Sequence, residues 1–167
     1  MSTRSRSRAG ALPGVRRGVL VALALLGLTL PGQAQAQDAA EDEVRAVIQR
    51  LFDGMRLGDS TMVRSTFHPT ARLLTSGIQS GQPRLQEGSV DDFVRAVGAP
   101  HDAMWDERIE NLEVRVDDPL ATAWMDYRFH LGEQFSHCGV NAMQLVRTPD
   151  GWKILHVVDT RRPACPA

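Results

Sequence analysis

MWDERIENLEVRV (Met104–Val116), LATAWMDYRFHL (Leu120–Leu131), QFSHCGVNAMQLVR (Gln134–Arg147) and WKILHVVDTR (Trp152–Arg161) are the four stretches that decide the fold. Apolar and polar side chains alternate along each, the period-two pattern of a half-buried strand. The joins are Asp117-Asp118, Gly132-Glu133 and Thr148-Pro149-Asp150-Gly151, all with turn chemistry, so the four strands are expected to run as an antiparallel meander.

The turns set an expected register. With Leu131 opposite Gln134 and Arg147 opposite Trp152, one face carries Met125, Tyr127, Phe129, Ser136, Cys138, Val140, Ala142, Leu155, Val157, Asp159 and Arg161. The other carries Trp124, Asp126, Arg128, His130, His137, Asn141, Met143, Leu145, Trp152, Ile154 and His156. A slip of one residue would exchange partners between the faces. The first face is the more continuously apolar, is extended by Leu112, Val114 and Val116, and is assigned to the concave side.

Upstream of these strands the period is helical. Val44, Val47, Ile48, Leu51, Phe52 and Met55 share one face of a helix that starts with Asp38 and Glu41 as a capping box and ends near Gly58. A shorter helix from Asp59, with Met62, Val63 and Phe67, must stop before Pro69, because the residue preceding proline is pushed out of helical geometry. Ala71–Thr75 and Arg84–Glu87 read as short strands. Ser89 and Asp92 cap a third helix carrying Phe93, Val94 and Val97, closed by Gly98 and Pro100. The order is an α+β domain with three N-terminal helices on one face of a bent, mostly antiparallel sheet.

The first 36 residues are of another kind. They hold five of the 19 basic residues and none of the 20 acidic ones, and contain the apolar run GVLVALALLGLTL (Gly18–Leu30) followed by Ala34-Gln35-Ala36. This is the three-part pattern of a secretory signal, with cleavage expected after Ala36 and a single domain over residues 37–167. At about 1.5 Å per residue the run falls short of the roughly 30 Å hydrocarbon core, which argues against a retained anchor. Arg16-Arg17 also resembles a twin-arginine signal. A periplasmic or secreted location is expected. The remainder is acidic with one lysine, Lys153, which excludes the basic footprint of a nucleic-acid binder and of a protein held on anionic lipid.

In such a compartment Cys138 and Cys165 can form a disulfide. Cys138 is expected opposite Arg161, and Cys165 lies four residues on, up to about 13 Å of extended chain. A bridge therefore needs the tail to fold back, which Pro163 permits; bridged and free states both stay open. No CxxC is present and the histidines are scattered, so no metal site is expected.

FSHCGVNAMQLVRTPDGWKILHVVDTRR (Phe135–Arg162), preceded by helices, resembles the nuclear transport factor 2-like superfamily, in particular its exported branch labelled "putative lumazine-binding", related to SnoaL-like polyketide cyclases. The resemblance spans about residues 40–162 and is most specific in SHCG, DGWKI and DTRR. It implies a cone-shaped α+β barrel with a pocket at the wide end, and frequent homodimers through the outer face of the sheet. It implies less about activity, since the superfamily holds dehydratases, isomerases, cyclases and pure binding or assembly domains.

On the concave face Tyr127, Cys138 and Arg161 fall in one expected row, with the tyrosine and arginine roughly 10 Å apart. A small apolar or heteroaromatic molecule fits between them: Arg161 donates a planar fork, Tyr127 offers a hydroxyl, Asp159 accepts or orients Arg161. Phe52, Met55, Phe67 and Phe93 supply apolar walls. The plainer reading is an Asp159–Arg161 ion pair beside a core tyrosine. Asp126, Arg128, His137, Asn141 and His156 hold acid–base groups, but on the expected convex side, where Trp124, Met143 and Trp152 read as a dimer surface. The leading expectation is an exported small-molecule-binding domain without robust catalysis and without a cofactor. One alternative is a cofactor-independent SnoaL-like lyase or isomerase with Asp159 or Asp126 as base; another is an assembly module with a vestigial pocket. A buried carboxyl with a raised pKa facing an open cavity marks the enzyme, a cavity without one the binder, and a filled core the assembly module.

Overall fold

The computed structural model describes residues 31–165, so the apolar run Gly18–Leu30 lies outside the described residues. The order is α1 (Pro31–Leu57), α2 (Ser60–Thr66), β1 (Phe67–Gln79), β2 (Gln82–Gly88), α3 (Val90–Gly98), β3 (Trp105–Asp117), β4 (Leu120–Leu131), β5 (Gln134–Thr148) and β6 (Gly151–Thr160). One six-stranded sheet runs in the order β2-β1-β6-β5-β4-β3. Only the β1–β6 pair is parallel. The three helices and the antiparallel meander match the expectation.

Local chemistry explains most boundaries. Gly58, at φ 67, ends α1, where a residue with a Cβ would be strained. The Asp59 carboxylate then caps α2 by accepting from the Met62 amide at 2.8 Å, and Ser89 caps α3 by accepting from the Asp92 amide at 3.2 Å. Two expectations differ. The described helix α1 already begins at Pro31, so Asp38 lies inside it rather than at its cap. Phe67 opens β1 instead of closing α2, and β1 and β2 form a longer hairpin than the short apolar clusters indicated.

The pairing shifts register at several places, and the bulges on β5 and β6 are the ones that decide which side chains face the core. Leu131 pairs with Gln134 and Arg147 with Trp152 as expected, but Phe129 faces His137 while His130 faces Phe135, leaving Ser136 as an extra residue. Leu145 faces Ile154 while Gln144 faces His156, leaving Leu155 extra. A bulge reverses the alternation beyond it on its own strand. The inward set on β5 is therefore His137, Gly139, Asn141, Met143 and Leu145, not Ser136, Cys138, Val140 and Ala142.

This corrects part of the proposed dimer surface. Met143 and Trp152 are each 3% exposed and belong to the core with Leu145, Ile154 and α1 residues Ile48, Leu51 and Phe52. Burying each such side chain contributes about 1.5–3 kcal/mol, enough to fix which face turns inward. The Arg147 guanidinium lies 4.7 Å over the Trp152 ring and pairs with Glu43 and Asp118, closing the core at that end. Trp124 does stand on the outer face, 55% exposed.

Candidate functional site

Toward the other end of the sheet the core opens into a cavity of about 580 Å³. The apolar part of its lining comes from Leu51, Phe52 and Met55 on α1, Phe67 and Leu73 on β1, Phe93 and Ala96 on α3, and Met143 and Val157 on the sheet. Phe67 and Phe93 meet edge to face at 6.2 Å and form one wall. The hairpin residues Gln86 and Glu87, with Ser89 and Asp92, lie around the same space. The polar lining on the sheet comes from Thr75 on β1, Glu107 on β3, Asn141 on β5 and Asp159 on β6, with Arg161 just beyond β6; β4 lies between the strands of Glu107 and Asn141.

Of the five residues expected at a ligand, Phe52, Met55, Asp159 and Arg161 line this cavity and Tyr127 does not. Tyr127 is 2% exposed, and its hydroxyl donates to the Thr160 carbonyl at 2.8 Å. The β5 bulge is the cause: it puts Gly139, not Cys138, opposite Tyr127. A Cβ at Gly139 would come within 2.7 Å of Tyr127 Cε1 and 1.8 Å of the Thr160 carbonyl oxygen, so only glycine lets the ring reach its acceptor. Burial, and then the nearby carboxyls of Asp159 and Glu107, push the Tyr127 hydroxyl well above its ordinary pKa. It is a core hydroxyl with its hydrogen bond made.

Glu107 and Asn141 join the site without being expected there: the alternation puts Asn141 on the outer face and gives Glu107 no role. The Asn141 side-chain amide donates to Glu107 Oε1 at 2.7 Å, and Asn141 itself is 5% exposed. Burial pushes the Glu107 carboxyl up to about 7; the Asn141 hydrogen bond opposes this, the Asp159 carboxylate adds to it, and the Arg161 charge opposes it. A neutral amide cannot offset desolvation as a cation would. A signal existed: Trp105, Glu107 and Ile109 alternate onto one face of β3, so an acid sat in an apolar row. Asn141 turns inward, against the expected alternation, because the bulge at Ser136 reverses it and leaves no mark in the turn spacing.

Arg161 donates from Nε to Asp159 Oδ2 at 2.8 Å, with side-chain exposures of 60% and 13%. The expected ion pair is thus present and lies in the cavity lining, so the two readings of these residues coexist. His137 also turns inward, packing its ring against Phe129 and Tyr127 at 5.1 and 5.7 Å. Burial, and then the Arg161 charge, hold its pKa below the ordinary value. Asp126 and Arg128 instead lie with Glu110 and Asn111 in a separate depression, and His156 with Trp124 in another, so the second cluster is split among three places. Among the described residues no group of three or more His, Cys, Asp or Glu side chains is arranged to hold a metal ion.

Cys138 and Cys165 are joined in a disulfide with Cα atoms 5.8 Å apart. The tail folds back as a bridge requires, because Cys138 and Arg162 exchange backbone hydrogen bonds of 3.0 and 2.8 Å.

Residues 39–158 match the family model described as "Putative lumazine-binding". No curated protein matches the sequence. Among solved structures, an NTF2-like protein with a cystatin-like fold from Novosphingobium aromaticivorans is 14% identical, with 84% of this chain and 94% of that one covered and a TM-score of 0.64. An NTF2-like protein of unknown function from Pseudomonas putida is 18% identical over 74% and 87% of the two chains, with a TM-score of 0.59. A protein from Streptomyces avermitilis described as a "putative dehydratase from the NTF2-like family" is 17% identical over 77% and 99%, with a TM-score of 0.56. At these identities the likeness establishes the fold alone.

Proposed function

Because the chain belongs to the family described as "Putative lumazine-binding", within the nuclear transport factor 2-like superfamily, we propose that its cavity receives a compact apolar or heteroaromatic molecule whose polar edge lies against Glu107, Asn141, Asp159 and Arg161. The observation that carries this reading is an apolar wall of Phe52, Met55, Phe67 and Phe93 together with the polar group Glu107, Asn141, Asp159 and Arg161 on the sheet, a layout that buries a flat ring while orienting it. Arg161 donates to carbonyl or anionic oxygens, and Asp159 accepts from ring N–H groups. The test is a fluorescence titration with lumazine, in wild type and in Ala96→Trp, which places an indole in the cavity. Wild type binds and the variant loses binding while its melting temperature holds. Equal binding by both proteins, or no binding of lumazine or related bicyclic heteroaromatics by wild type, contradicts the proposal.

A second reading, a cofactor-independent lyase or isomerase, is favoured by one observation: Glu107 lines the cavity with an amide, Asn141, as its hydrogen-bond partner, and burial pushes its carboxyl up to about 7. A carboxyl in that range both takes and returns a proton near neutral pH, as removal of a proton next to a carbonyl and its return elsewhere require. Glu107 replaces Asp159 and Asp126 as the base in this reading. The check is deuterium incorporation from D2O into small ketones, followed by NMR. Wild type exchanges and Glu107→Gln does not; equal exchange by both removes the reading.

Export and pairing belong to the same proposal. The basic start and Gly18–Leu30 support a cleaved signal, so N-terminal sequencing of the exported protein should begin at Gln37. The exposed Trp124 supports a homodimer through the outer face, which Trp124→Glu should convert to monomer in light scattering.

A further inference from the structure

β6 ends at Thr160, yet Arg161, one residue further, supplies the cationic part of the cavity's polar edge. A residue just past a strand end keeps its place only if both sides of it are held. On the strand side Thr160 is anchored twice: its carbonyl accepts from the Tyr127 hydroxyl at 2.8 Å, and its Oγ1 accepts from the Val140 amide at 3.1 Å. On the tail side Arg162 exchanges two backbone hydrogen bonds with Cys138, and three residues later Cys165 is bonded covalently to that same Cys138. The side chain of Arg161 adds little of its own, since its one carboxylate partner, Asp159, lies two residues back on the same chain.

We propose that the Cys138–Cys165 disulfide is a positioning device for the ligand site: it pins the chain beyond β6 so that Arg161 stays at the cavity edge, and binding of a ligand that uses Arg161 is set by the redox state of this pair. The inference rests on the proposed binding function and adds its regulation. Opening the bridge takes two electrons and two protons from a dithiol, which becomes a disulfide in turn, and leaves thiols on Cys138 and Cys165. The Cys138–Arg162 bridge is then the last pair at an open end, and such ends fray. Thr160 keeps both anchors, so the fold and Asp159 stay while Arg161 loses its fixed place. A loosely held arginine must be ordered by the ligand at a cost in affinity.

The experiment is lumazine titration of oxidised and dithiothreitol-reduced protein, in wild type and in Arg161→Ala, with circular dichroism as the check on folding. Reduction weakens binding by about tenfold in wild type and by less than about twofold in Arg161→Ala, because the variant has already lost what the clamp holds. The same factor in both backgrounds overturns the proposal, since it marks general loosening. The Arg161 Nε–Hε resonance gives a readout that needs no ligand: its exchange with water speeds up on reduction while the β5 amides from Val140 to Thr148 stay protected. Unchanged exchange overturns the clamp even where lumazine binds; failure of oxidised wild type to bind lumazine, with faster Arg161 exchange on reduction, sinks the ligand reading and leaves the clamp standing. Cys138→Ser combined with Cys165→Ser repeats the reduced state without reductant.

Discussion

Asp106 and Glu107 are consecutive on β3, and each is withdrawn from bulk water, yet their carboxyl groups are held in opposite ways. Asp106 accepts from Arg108 Nε at 2.7 Å and Arg56 Nε at 2.9 Å. Burial alone would raise its pKa, but the two guanidinium hydrogen bonds outweigh burial and hold it below the ordinary value. Glu107 has an amide where Asp106 has two arginines, and burial wins. The pair separates two uses of a buried acid. One ties α1 to β3 as a permanent anion; the other is left able to gain and lose a proton beside an open cavity.

The comparison breaks first at Asp106. Asp106→Ala leaves Arg56 and Arg108 without their shared acceptor and should destabilise the protein by about 2–4 kcal/mol in urea unfolding at neutral pH. A loss too small to measure would make the two acids equivalent.

Removing the charge of the neighbouring acid should act in the other direction. In the folded protein Glu107 holds its proton up to about 7, while the unfolded chain releases it near the ordinary 4.5. Folded protein binds more protons across that window, so stability from this group is full below 4.5, falls as pH rises, and is lost above about 7. Glu107→Gln keeps an acceptor for Asn141 and escapes this loss. It should be more stable than wild type by about 3 kcal/mol at pH 8, an advantage that disappears in acid.

The smallest effect sharpens the contrast without changing either acid. Asn141→Leu removes the one hydrogen bond that favours the Glu107 carboxylate, so the Glu107 midpoint should rise further, by about one pH unit, while the Asp106 midpoint stays in place. The measurement is carboxyl NMR on both residues.

Much of this architecture was legible in the chain. Strand β4 lies where its alternation put it, Asp59 and Ser89 cap helices, and the turns pair Leu131 with Gln134 and Arg147 with Trp152. What sequence could not carry was the bulges of β5 and β6, because an inserted residue such as Ser136 or Leu155 leaves no composition mark of its own. One extra residue turned Asn141 and Met143 inward and Cys138 out of the cavity row, and with them changed the meaning of Tyr127. The site is half visible in the chain: Phe52, Met55, Asp159 and Arg161 stand on recognisable faces and line the cavity, whereas Glu107 sits on β3 among other acids, Asp106 and Glu110, from which only its apolar row with Trp105 and Ile109 sets it apart.

Both proposed uses of the cavity turn on Glu107, an acid that burial holds near neutrality in its lining. Carbon-13 NMR of carboxyl-labelled glutamates in the ligand-free, disulfide-bonded protein, with Glu107→Gln to assign the signal, measures its midpoint directly. One glutamate, Glu107, should show a midpoint at about 7. A Glu107 midpoint near the ordinary 4.5 would contradict it, and would reduce the polar edge of the cavity to a set of permanently charged groups.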